Sequence, residues 1–258
     1  MFNHFSSVFL FVLLLCCAGR AAELRVLCYN IHVGVGMDKK LDLERTAKLV
    51  REHKPDLVAL QEVDRNADRT AKQDQPALLG KLTGMKAVYG KTIDHSNGEY
   101  GLAILSRFPV KTSKMTILPQ QEFAPDKYER RGLLEAEIEG EDKQVFHFAC
   151  THLCHLGEER RTQQVKQINE LLGQNAGLTI LCGDFNAFPE SETIQTVLKQ
   201  WTDATDRTPT FSSTEPKIKI DYVFYKPQNR LKVKEMKVLE DNITSDHRPV
   251  FVVFEILP

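Results

Sequence analysis

The sequence predicts an α/β protein in which two mostly antiparallel β-sheets pack face to face, with helices outside. Three observations carry this reading. The 258 residues hold about ten strand-like segments against three helical ones, too many strands for a single doubly wound sheet. Several strands, such as Val250 to Phe254, are continuously apolar, as strands covered on both faces must be. The chain also falls into two loosely similar halves, each opening with strand, helix, strand.

Taken in order, the first segment is Val8 to Ala18, an uninterrupted apolar run followed by the small residues Gly19, Ala21 and Ala22. It is too short to span a bilayer and fits the apolar part of a secretory signal peptide, residues 1–22, cleaved after Ala21 or Ala22. The expected mature chain, 23–258, is then one domain, secreted or periplasmic, with no transmembrane segment. Leu24 to Ile31 reads as its first strand. Asp42 to Lys54 is a helix capped by Asp42, with Leu43, Ala47 and Val50 as its buried stripe and Pro55 as its stop. Asp56 to Gln61 is the next strand, and Tyr100 to Ser106, Lys111 to Leu118, Gly132 to Glu139 and Gln144 to Thr151 supply four more. A second helix, Glu158 to Gln174, turns Val165, Ile168 and Leu172 inward. The strand Leu178 to Cys182, a short helix near Glu192 to Gln200, and the strands Ile220 to Tyr225, Leu231 to Leu239 and Val250 to Ile256 follow.

Loss of the leader removes Arg20, leaving 33 basic against 35 acidic residues and a net charge of −2. No global field draws such a chain to nucleic acid or anionic lipid, and nothing in it calls for an obligate protein partner. Cys28, Cys150, Cys154 and Cys182 remain, three of them inside apolar strands where a free thiol acts as a small core hydrophobe. Their spacing matches no zinc pattern, and export permits a disulfide without requiring one.

Polar residues gather where strands meet loops. CYNIH ends a strand with Asn30, LVALQEVD with Glu62, FACTH with His152, and TILCGDFN with Asp184 and Asn186; KIDYVFY begins one with Asp221, and SDHRPVF with Asp246 and His247. A single Asp or His at such a place is usually a turn residue. Six strand ends of this kind are another matter, because two packed sheets can bring them to one edge. The residue types suit a phosphoester. Glu62, Asn30 and Asp246 offer hard oxygen ligands to Mg²⁺ (or Mn²⁺), which neutralises phosphoryl and leaving oxygens. Period-two geometry puts Asp184 and Asn186 on one side of the chain, so that one can deprotonate a water and the other orient it. His247, kept cationic by a carboxylate such as Asp221, can stabilise phosphoryl charge; His152 can contact phosphate or protonate the leaving group. Glu99 is a candidate partner of His152, or a plain turn residue. Arg130 and Arg131 can reach a substrate phosphate or simply open a solvated strand.

The Asn of CYNIH, the Gln-Glu of LQEVD, the Thr-His of CTHL, GDFN and SDH, in this order from Asn30 to His247, resemble the motifs of the endonuclease/exonuclease/phosphatase superfamily. The resemblance implies a four-layer α/β/β/α sandwich, Glu62 as main metal ligand with Asn30 and Asp246 nearby, Asp184 and Asn186 at the water, and Asp221 orienting His247. Thr151-His152 resembles the sphingomyelinase and deoxyribonuclease branches, where this histidine contacts phosphate, more than the abasic-site branch with its tyrosine. The reading is therefore a secreted, Mg²⁺-dependent phosphodiesterase acting on a small molecule, a lipid headgroup or nucleic acid, with a phosphomonoester as the other substrate type. A nonspecific nuclease would be expected to flank its cleft with basic residues, and a bilayer-acting enzyme to expose an apolar hairpin; neither stands out. A non-catalytic binding module on the same scaffold should have lost a metal or water residue, and none is missing.

Overall fold

Among the described residues twelve strands and four α-helices form, two strands and one helix more than the sequence patterns suggest. The computed structural model describes residues 22–119, 129–140, 143–175 and 177–257. The expected signal peptide thus lies outside the described residues, Ala22 excepted. The elements run β1 (Glu23–Asn30), α1 (Leu43–His53), β2 (Leu57–Arg65), α2 (Gln75–Thr83), β3 (Lys86–His95), β4 (Gly98–Ser106), β5 (Val110–Ile117) and β6 (Gly132–Glu139). They continue as β7 (Val145–His152), α3 (Glu158–Gly173), β8 (Leu178–Asp184), α4 (Glu192–Leu198), β9 (Thr202–Asp203), β10 (Asp221–Lys226), β11 (Leu231–Val238) and β12 (Val250–Ile256).

Capping decides the ends of α1. Asp42 accepts from the Glu44 N–H, and Lys54 closes the helix in the left-handed region at φ 50° before Pro55. The elements that the patterns did not disclose have weak signals. Helix α2 (QPALLGKLT) carries Pro76 and Gly80 and little amphipathic contrast; its Asp74 cap and left-handed Gly84 are its clearest marks. Strand β3 is an edge strand with exposed or half-exposed side chains along most of its length, so it shows no apolar run.

The strands form two mixed six-stranded sheets, ordered β11-β12-β1-β2-β4-β3 and β5-β6-β7-β8-β10-β9. Only β1 with β2 and β7 with β8 pair in parallel, each joined by a helix as a parallel crossover requires. Alternating residues divide the apolar side chains among three clusters. Val26, Cys28, Phe148, Cys150, Ile180, Cys182 and Phe254 fill the space between the sheets. Leu27, Tyr29, Ala47, Val50 and Leu60 seal sheet one against α1 and α2. Val165, Ile168, Phe185, Trp201 and Phe224 do the same for sheet two and its helices. Helix, sheet, sheet, helix is the four-layer sandwich expected. Each fully buried Leu, Val or Phe side chain contributes roughly 1.5–3 kcal/mol. All four cysteines described are free and buried, as small core residues.

Candidate active site

Parallel pairing sets the stage, because β1, β2, β7 and β8 all point their C-terminal ends toward one edge of the sandwich. Register places Asn30 beside Gln61 in sheet one and His152 beside Asp184 in sheet two. The antiparallel neighbours enter at that same edge, so β10 begins with Asp221 opposite Asp184, and β12 begins just after Asp246 and His247. A period-two layer lies directly beneath: Cys28, Cys150 and Cys182 each precede a site residue by two positions and fill the space under it. Gln61 ties this layer together, donating to Cys150 Sγ at 3.2 Å and accepting from Cys28 Sγ at 3.8 Å.

The Asp184 carboxylate is the focus. Its Oδ2 receives Asn30 Nδ2 at 3.2 Å and stands 3.4 Å from His152 Nε2 and 3.6 Å from His247 Nε2. Its Oδ1 accepts from the Asn186 N–H at 2.9 Å. Asn30 Nδ2 and His247 Nε2 are 3.4 Å apart because both converge on that one oxygen. Behind His247, Nδ1 donates to Asp221 Oδ2 at 2.9 Å, and Thr210 donates to the same oxygen at 2.5 Å. The Phe211 ring packs on the imidazole with centroids 4.8 Å apart. Ser245 completes the mounting: its hydroxyl donates to the Asn30 carbonyl at 2.7 Å and accepts from the His247 N–H at 3.2 Å.

These neighbours set the charges. Burial alone would push His247 down, but Asp221 and Asp184 beside it hold it up at about 10. Burial pushes Asp184 up to about 7, against the pull of the His247 cation. Burial, and then the Arg131 guanidinium, hold His152 well below its ordinary value, so it is a neutral imidazole. A cleft of about 460 Å³ opens over the group, lined by Glu62, Asp184, Asn186, Asp246, His152 and His247 among others.

The family model for endonuclease/exonuclease/phosphatase proteins matches residues 27–247. The chain belongs to the endonuclease/exonuclease/phosphatase family. That is a family of metal-dependent phosphoesterases, phosphatases and nucleases among them. Among curated proteins, the uncharacterized protein YbhP of Escherichia coli strain K12 is 25% identical over 173 residues, which cover 63% of this chain and 66% of YbhP. The match thus spans just under two thirds of that relative's length. Of solved structures, an endonuclease/exonuclease/phosphatase from Beutenbergia cavernae superposes with a TM-score of 0.78 at 24% identity, covering 92% of this chain and 72% of that one. A mannosyl-6-phosphatase from Bacteroides thetaiotaomicron gives 0.72 at 20% identity, covering 90% and 99%. The catalytic domain of human Nocturnin gives 0.70 at 22%, covering 91% and 95%. At these identities the likeness is one of fold.

The divalent cation typical of the family finds a fitting donor set. Glu62 and Asp246 both line the cleft, burial holds the Glu62 carboxyl above its usual range, and the charge of Asp246 adds to that. A buried carboxylate whose charge is opposed by an acidic neighbour is what a cation relieves. Asp184, Asp221 and His247 also place ligating atoms within 4.8 Å of one another. That trio is the poorer choice, because His247 is held as a cation between the two carboxylates and has no lone pair to offer.

Three expectations change within this family frame. Asn30, expected to offer an oxygen to the metal, turns its amide nitrogen to Glu62 Oε1 at 3.0 Å as well as to Asp184, while its side-chain oxygen accepts from the His32 N–H. Asp184 and Asn186 do share the cleft, but not by strand alternation: β8 stops at Asp184, and Asn186 has φ 48° in a turn. The Asn186 amide nitrogen donates to the Leu153 carbonyl, which leaves the amide oxygen for a water. Glu99, expected near His152, instead pairs with Arg65 and stands 3.9 Å from Lys91; register puts it opposite Arg65, outside the catalytic cleft. Arg131, by contrast, is buried in the cleft wall, 2.9 Å from Glu129. Thr210, Phe211, Ser245 and Tyr100 escaped the sequence reading. Ser245 alone had a signal, being the first letter of SDH; the loop that carries Thr210 and Phe211 has no periodicity to read.

Proposed function

We propose that the protein is an exported, Mg²⁺-dependent phosphodiesterase that hydrolyses small phosphoesters by attack of an Asp184-activated water. The observation that carries this reading is the convergence of Asn30, His152 and His247 nitrogens on Asp184 Oδ2 at 3.2–3.6 Å, beside the Glu62 and Asp246 acids. Asp184 takes the water's proton while Asn186 orients that water and the new phosphorus–oxygen bond forms. The bond to the leaving alcohol breaks, and the leaving oxygen takes its proton from solvent. His247, a cation fixed by Asp221, donates to a non-bridging oxygen as charge develops there. His152 is neutral and so acts as an N–H donor to phosphate in preference to a proton donor. Held by Glu62 and Asp246, a bound Mg²⁺ supplies charge neutralisation at phosphoryl and leaving oxygens.

The test is hydrolysis of a chromogenic phosphodiester beside its monoester, with Mg²⁺, with Mn²⁺ and with EDTA. Metal-dependent cleavage of the diester is expected. Preference for the monoester would make the protein a phosphatase, and undiminished turnover in EDTA would remove the metal from the reading.

A further inference from the structure

Two short segments that leave regular structure meet at the cation side of the site. One follows Asn30 at the end of β1; the other is the register shift in β2 between Leu60 and Val63, which holds Glu62 at φ 56°. Past Asn30 the chain makes a left-handed turn, with His32 at φ 46°, Val33 at 49° and Gly34 at 74°. Glycine suits that region, but a β-branched valine there is an outlier and marks strain. Strain of this kind persists only where surrounding contacts impose it. The turn is also tightly packed, since a Cβ at Gly34 would stand 2.7 Å from Leu43 Cδ2. At its open end the His32 N–H donates to Asn30 Oδ1 at 3.1 Å, and Asn30 Nδ2 faces Glu62 Oε1 at 3.0 Å. His32 Nδ1 closes the turn by donating to the Val35 carbonyl at 2.9 Å.

Gln75, the first residue of α2, joins the turn to the bulge. It is fully buried, and both ends of its amide are taken. Nε2 donates to the Val33 carbonyl at 2.6 Å, and Oε1 accepts from the N–H of Asp64, two residues past Glu62, at 2.9 Å. One partner is an acceptor and the other a donor, so together they fix which way the amide faces. The Ile31 N–H adds a direct bond between the segments, to the Gln61 carbonyl at 3.1 Å. No step of the proposed reaction uses Gln75. Burial, and then the charge of Asp246, oppose a charged Glu62. A bulge free to relax would therefore gain by moving Glu62 away whenever no metal is bound.

We propose that Gln75 is a positioning residue for the cation site: by locking the left-handed turn after Asn30 to the bulge of Glu62, it keeps the Glu62 carboxylate in its metal-binding place before the metal arrives. This rests on the cation site of the reading above and deepens it.

The experiment measures Mn²⁺ binding, by loss of the free ion's paramagnetic signal, on wild type, Gln75→Met and Ile168→Val. Methionine keeps the bulk of glutamine without its amide, and Ile168→Val trims the core under α3 as a stability control. Gln75→Met is expected to weaken Mn²⁺ about ten- to a hundredfold, the loss usual when a group supporting metal ligands is removed. Ile168→Val is expected to lower Tm and to bind Mn²⁺ as wild type does. Wild-type affinity in Gln75→Met, or an equal loss in Ile168→Val, overturns the role of Gln75 and leaves the phosphoesterase reading standing. Absence of Mn²⁺ binding by wild type overturns that role together with the metal of that reading. Should Gln75→Met not fold, hydrogen exchange of wild type at the Asp64 amide, which donates to Gln75, decides. Equal protection in EDTA and in Mg²⁺ supports a lock made before the metal; protection gained only with Mg²⁺ overturns it.

Discussion

The two sheets are one plan used twice, and the site uses the two copies differently. In sheet one the parallel pair β1-β2 is flanked antiparallel by β12 and β4; in sheet two β7-β8 is flanked by β6 and β10. Matching positions at the strand ends are Asn30 and Gln61 in the first, His152 and Asp184 in the second. The copies diverge just beyond. β8 stops at Asp184, whereas β2 shifts register between Leu60 and Val63 and runs on to Arg65. Glu62 sits in that bulge with φ 56°, a left-handed conformation uncommon for a side chain of this size, and the bulge re-aims its carboxylate into the cleft. The incoming strands differ too, for β12 is preceded by Asp246 and His247 while β6 is preceded by Arg131. In the proposed mechanism sheet one supplies the acids for a cation, and sheet two supplies the proton-handling carboxylate, Asp184, and His152. The shared frame fixes where chemistry happens, and two or three residues past each strand end decide which chemistry.

The largest effect should come from the sheet-two side. Asp184→Ala is expected to lower turnover at least about a hundredfold with the circular-dichroism spectrum and cooperative melt preserved. Equal activity at equal folded fraction would erase the distinction between the halves. Next comes the cation side. Glu62→Gln should weaken Mg²⁺ or Mn²⁺ at least about tenfold, seen as loss of the metal-induced rise in Tm, with Mn²⁺ binding followed independently by its paramagnetic signal. A variant that binds metal as wild type does would move the cation site elsewhere. A smaller, graded effect is that of pH. Asp184 works as a base only when deprotonated and its carboxyl stands at about 7, so kcat/KM should climb as pH rises through that value. A profile that falls over pH 6 to 8 would assign the base to another group. Smallest of all is Glu99→Gln, which pairs with exposed or half-buried Arg65 and Lys91 outside the cleft and should change kcat/KM less than twofold.

Much of this was legible because it is written locally. Apolar runs such as Val250 to Phe254 announce buried strands, and the acid, amide or imidazole closing each run announces the edge where they meet. Asp42 marks the start of α1 as plainly as its hydrogen bond confirms it. What was not legible depends on distant neighbours. Strand β3 is fixed by pairing with β4 and by nothing in its own pattern. The direction in which the Asn30 amide points depends on Asp184, 154 residues away, and on Glu62, 32 away. The bulge at Gln61 and Glu62 likewise needs Cys150 on the other sheet to anchor Gln61. Composition around Glu99 suggested a partner for His152, but the register of β4 with β2 had already given Glu99 to Arg65.

One consequence of the strand order concerns time. β1 finds its partner β12 only when the segment Val250–Ile256 has been made, with Leu24 opposite Phe254 and Cys28 opposite Val250. Asn30 and His247, side by side in the finished protein, are separated by 217 positions of chain. A growing polypeptide therefore carries Asn30 and Glu62 long before the residues they meet in the site have been made. Sheet one keeps an open strand flank until the end, a slow, long-range closure of the kind that delays folding. Closing sheet one and setting Asp246 and His247 beside Asn30 are therefore a single event, the arrival of β12.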